Sequence, residues 1–172
     1  MALYALGDLE PQIDPTAYVH PDAVIIGDVR IGAQSSVWPS AVLRGDDGYI
    51  EIGARTSIQD GSIVHTTREL PTIVGDDCVI GHLVHLEGCR IEDGALVGNG
   101  SIVLHAAVVR SGAVVGSGAV VPGGMEVPAG AMALGVPAKI KEGAVRPGMI
   151  DGPAESYVRR AARYPKELRR LD

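Results

Sequence analysis

An apolar side chain recurs at every sixth residue through most of this chain, and no other feature constrains its fold as strongly. Ile31, Val37 and Leu43 are spaced by six. So are Ile52, Ile58 and Val64; Val74, Ile80 and Leu86; Ile91, Val97 and Val103; and Val109, Val115 and Val121. The pattern begins at Ile13, Val19 and Ile25 and fades after Val127. Four residues past these positions the side chain is usually small, as at Ala23, Ser35, Thr56, Ser62, Ser101 and Ala113. Repeats of fixed period are the signature of stacked architectures. Six residues suit a short strand and a bend, with the large aliphatic turned inward and the small residue at the corner. Three such units close a triangular coil of about 18 residues. Successive coils then stack at the strand spacing of ~4.8 Å. The expectation is an all-β solenoid, a parallel β-helix. The chain has no Phe and one Trp among 172 residues, although 46% are apolar. A narrow triangular bore accounts for this, since it admits aliphatics and excludes rings. A sandwich of short Val-rich strands has no reason to repeat at six.

Three steps break the register: Leu43 to Ile52 is nine residues, Val64 to Val74 is ten, and Leu86 to Ile91 is five. Extra residues in a coil must leave it, so loops are expected at Asp46–Ile50 and Thr66–Thr72, where function tends to sit. The solenoid is expected over residues 1–142, followed by a Gly/Pro-containing linker at 143–152. A helix over 153–172 has Pro at its start and is kinked or split at Pro165. Its six cations, Arg159 to Arg170, read as a solvated face. The net charge of −6 argues against a general nucleic-acid partner. Two cysteines, Cys78 and Cys89, are too few for a disulfide framework and suit small inward or corner positions. No basic-then-apolar leader and no 18-residue apolar run are present. These absences point to a cytoplasmic protein without a membrane partner.

Stacking turns the repeat into a candidate site. If each triplet is a coil, Leu43, Val64 and Leu86 lie above one another. The outward residues that follow them, Arg44, His65 and Glu87, then form a ladder. Ile58 and Ile80 stack on the neighbouring wall, which aligns Asp60 with His82. Histidines with a carboxylate are metal-ligand chemistry. His65 and Glu87 do not share a wall with His82, so a second subunit docked on this face would complete the set. His20 and His105 read as surface residues. Trp38 and Tyr49 line either a pocket or a subunit contact.

Arg44-Gly45-Asp46, Gln59-Asp60, His65 before a loop, Gly81-His82 and Gly88-Cys89 together resemble the gamma-class carbonic anhydrase family of the hexapeptide-repeat superfamily, over roughly residues 10–140. The resemblance implies a left-handed β-helix, although crossover connections are generally right-handed. It also implies a homotrimer with a metal at each subunit interface, usually zinc, with iron or another divalent ion as the alternative. His65 and the residue five past His82 would come from one chain and His82 from its neighbour. That residue is Glu87 where the family has His. Either Glu87 completes the metal set, or His85 swings in, or metal binds weakly or not at all. The implied activity is a lyase reaction, reversible hydration of CO2 to bicarbonate by a metal-bound hydroxide. Gln59 resembles the residue that hydrogen-bonds the metal-bound water. Arg44, Asp46 and Asp60 resemble an ion-pair set spanning the interface. Two other functions compete. Gly135-Val136-Pro137-Ala138-Lys139 resembles the end of the β-helix in acyltransferases that use coenzyme A thioesters. A non-enzymatic binding or assembly role is the third.

Overall fold

A strand of two residues turns one side chain inward and the next outward, and the six-residue series fills one continuous core in this way. The computed structural model describes residues 1–172. In it Ile25, Leu43, Ile58, Val64, Leu86, Val103 and Val127 are fully buried in a single cluster with the other periodic aliphatics. The chain winds into a parallel β-solenoid of about seven turns with one C-terminal helix. One wall is a sheet in which Tyr18–Val19, Ser36–Val37, Ser57–Ile58, Val79–Ile80, Leu96–Val97, Val114–Val115 and Met132–Leu134 stack in parallel. Lys139–Lys141 joins its end antiparallel. The other two walls merge into one sheet because Val24–Ile31 and Val42–Ile52 run round the corner between them unbroken. Leu43, Val64, Leu86, Val103 and Val121 stand one above the next, as the period requires.

The small corner residues do more than leave room. Thr56 Oγ1 donates to the carbonyl of Gly75 at 2.7 Å, and Ser62 Oγ to that of Gly81 at 2.8 Å. Both side chains are buried, so each corner hydroxyl satisfies a carbonyl that the bend takes out of the ladder. At Gly32 a Cβ would lie 2.7 Å from the carbonyl carbon of Gly53. The approach of successive coils excludes any side chain there.

The two insertions behave differently. The expected loop at Asp46–Ile50 is instead part of the continuous strand Val42–Ile52. Its pairing with Val24–Ile31 jumps from Gly27↔Gly45 to Val29↔Ile50. The extra residues are absorbed as a wide bulge because both ends of the strand stay paired. The ten-residue step does leave the sheet, with no strand over residues 66–71. There Thr66 Oγ1 donates to the carbonyl of Leu70 and Thr72 Oγ1 to that of His65.

The helix spans Asp151–Glu167, starting two residues before Pro153, and it is not split at Pro165. Pro153 lies in the first turn, where the missing N–H has no helical acceptor in any case. Pro165 falls in the last turn and disrupts little. The helix is pinned by Trp38, which is buried and meets Tyr18, Tyr157 and Tyr164 at ring-centroid distances of 5.5, 5.3 and 4.8 Å. Trp38 therefore serves the helix contact. Tyr49 lies under the Arg30 guanidinium at 4.9 Å. His20 is half-buried at the surface: its side chain is 12% exposed, and its Nδ1 accepts the Asp22 N–H at 3.1 Å. Cys78 and Cys89 are buried, and burial pushes both thiols up to about 12. No helix is long and apolar enough to cross a membrane.

Candidate metal centre

Strand register carries Arg44, His65 and Glu87 to equivalent outward positions, with Arg44 paired to His65 and His65 to Glu87. His65 Nδ1 lies 2.9 Å from Glu87 Oε1, and its Nε2 lies 3.0 Å from Asp46 Oδ1. Arg44 donates to the other oxygen of Asp46. One imidazole is thus held between two carboxylates, one of which also carries an arginine. The hydrogen bond from His65 lowers the Glu87 carboxyl below the ordinary value, against the opposing effect of burial, with His85 adding to it. Burial also opposes ionisation of Asp46, but hydrogen bonds from His65 and Arg44 outweigh it and hold that carboxyl low.

His82 stands on the neighbouring wall, two residues past inward Ile80, in line with Asp60, two past Ile58. Its Nδ1 lies 2.8 Å from Asp60 Oδ2. Its Nε2 faces Tyr157 Oη of the C-terminal helix at 3.5 Å. Burial raises the Tyr157 hydroxyl above its ordinary value, so it stays protonated. Gln59 is buried and its amide donates to Ser57 Oγ at 3.3 Å. Gln59, His82, Asn99, Ser117 and Tyr157 line a groove of about 260 Å³. Within the chain, the partner of Asp60 is His82, and Arg44 and Asp46 pair with each other on the other wall.

The anticipated residues therefore form two groups, His65 with Glu87 and, separately, His82. No three His, Cys, Asp or Glu side chains of one chain converge closely enough to hold a metal ion. The donor chemistry nonetheless suits a divalent cation. Asp60 stands beside His82 Nδ1, where a carboxylate commonly orients a ligating histidine, and Nε2 is the nitrogen turned away from it. His65 beside Glu87 supplies an imidazole and a carboxylate oxygen. Two more residues join this group: His85, which the sequence offers as the alternative ligand, and His105, expected from the sequence at the surface. His85 Nε2 lies 3.3 Å from Glu87 Oε2, and His105 Nε2 lies 3.7 Å from Glu87 Oε1. The signal for His85 was its spacing of two from Glu87, which puts both on one side of a strand.

No protein-family model matches the chain. Over 97 residues it is 44% identical to the mitochondrial gamma carbonic anhydrase 3 of Arabidopsis thaliana, covering 53% of this chain and 38% of that protein. Over 98 residues it is 44% identical to protein YrdA of Escherichia coli, covering 53% of each. The matched stretch thus spans about half or less of these curated relatives. The match to a solved hexapeptide transferase family protein from Anaplasma phagocytophilum runs the full length. It has 35% identity and a TM-score of 0.89, and covers 95% of this chain and 98% of the other. With a period of six, a parallel solenoid and a full-length relative of the same build, the chain belongs to the hexapeptide-repeat proteins, and over about half its length it is similar to gamma-class carbonic anhydrases.

Proposed function

We propose that this protein is a homotrimeric metalloprotein that hydrates CO2 reversibly to bicarbonate, with zinc or another divalent ion held by His65 and Glu87 of one subunit and His82 of its neighbour. One observation carries this reading: His65 and Glu87 touch on one wall, while His82, beside Asp60, stands on the next, its Nε2 engaged only by the long 3.5 Å contact to Tyr157 Oη. A bound divalent ion supplies the Lewis acidity that makes water nucleophilic near neutral pH. The remaining work belongs to side chains. Asp46 holds His65 from its far nitrogen and fixes the ring. Asp60 stands beside His82 Nδ1 and orients the ring. Arg44 neutralises Asp46 and sits on the face that a second subunit would cover. Gln59, beside His82 in the groove, presents an amide that can orient a water or a CO2 oxygen. Glu87 donates more negative charge than an imidazole would, so the set with Glu87 is expected to activate water less strongly than an all-histidine set.

The test is metal content and CO2 hydration in protein purified without added metal or chelator. About one zinc or iron per chain, with hydration lost on chelation, is the expected result. An intact trimer with no metal overturns it. Protection of that metal-free protein by coenzyme A against thermal unfolding would instead favour acyl transfer.

A further inference from the structure

His85 is out of place in its surroundings. Its register neighbours in the coils on either side are Ile63 and Ile102, so it interrupts an apolar column. The one polar partner of its ring is Glu87, whose Oε2 lies 3.3 Å from Nε2. The other carboxylate oxygen, Oε1, lies beside His65. An imidazole with a single polar contact, in a column that otherwise favours aliphatics, is there for that contact.

Register separates its role from that of Glu87. Glu87 pairs directly with His65, whereas His85 pairs with Ile63, two residues back along the strand. Two residues of strand amount to about 6.6 Å. Glu87 thus stands over His65, and His85 reaches the same place only through Glu87. A glutamate also has one more side-chain torsion to order than a histidine, so as a ligand it benefits more from a second anchor.

We infer that His85 is a positioning residue for Glu87, holding Oε2 through Nε2–H so that Oε1 stays presented beside His65. This rests on the metal-site reading above. It assigns the residue that lets a carboxylate stand at this position of the ladder.

The test is zinc affinity, measured on the purified trimer by competition with a chelator, for His85→Ala and His85→Gln in two backgrounds, wild type and Glu87→His. His85→Ala is expected to weaken zinc binding about 10–100-fold in the wild-type background, the usual cost of losing a residue that orients a ligand. His85→Gln, which keeps a donor of similar reach, restores most of that loss. In the Glu87→His background His85→Ala changes nothing, because no carboxylate remains to be held. An equal loss in both backgrounds overturns the inference, since His85 would then bind metal itself or support the face generally. No loss in the wild-type background overturns it as well. A wild-type trimer that binds no zinc overturns the metal-site reading and this inference together, and so is distinguishable from the other two outcomes.

Discussion

At the scale of single residues, the proposed metal site turns on position 87, which would set how strongly a bound ion activates water. A carboxylate in place of an imidazole adds negative charge and leaves the bound ion a poorer Lewis acid. Glu87→His is therefore expected to raise CO2 hydration at neutral pH, by about tenfold for each unit that the pKa of the activated water falls towards 7. Stopped-flow hydration on zinc-loaded protein checks this, and unchanged or lower activity with zinc bound would refute the ligand role given to Glu87. The outward placement of residue 87 leaves the core untouched, so its melting temperature should stay close to that of the wild type. The two thiols contrast with it. Both are pushed up to about 12 by burial and fill space without chemistry.

At the scale of elements, most strands hold two or three residues and none is stable alone. Each coil draws its stability from the coils beside it. The C-terminal helix is the exception, attached by aromatic rings. It crosses the Tyr18–Val19, Ser36–Val37 and Ser57–Ile58 strands and carries Tyr157 to the edge of His82. Removing Trp38 empties the centre of the aromatic cluster. Trp38→Ala is expected to cost about 3 kcal/mol, at the lower end for a buried aromatic because the cluster is a satellite of the main core. Hydrogen exchange should show the loss first in residues 151–167 while the coil amides stay protected. Helix amides as protected as in the wild type would show that other contacts hold the helix.

At the scale of the whole molecule, the face bearing Arg44, His65 and Glu87 also exposes apolar side chains. Ile63 is 40% and Leu83 70% exposed, the kind of surface that a partner subunit covers. Arg44→Ala removes the partner of Asp46 on this face and is expected to weaken the proposed trimer. Sedimentation at decreasing concentration should then show smaller species where the wild type stays intact. An unchanged trimer would count against an interface role for Arg44.

The path of the backbone was legible in the sequence, because a triangular coil repeats one packing requirement every six residues and leaves a periodic trace. Leu43 over Val64 over Leu86 follows from counting, and so do Arg44, His65 and Glu87 beside them and Asp60 beside His82. The sequence also revealed where residues were in excess, at the steps after Leu43 and Val64. Whether such an excess bulges within a strand or leaves the sheet was decided by pairing: the first stays bound to Val24–Ile31, while the second is released over residues 66–71. Tertiary structure alone decided the side-chain contacts that have no period. His85 and His105 turn towards Glu87, and Trp38 takes the helix. Tyr157 reaches His82 from 75 residues away. These contacts depend on rotamers and on where a distant helix lands, and neither repeats along the chain.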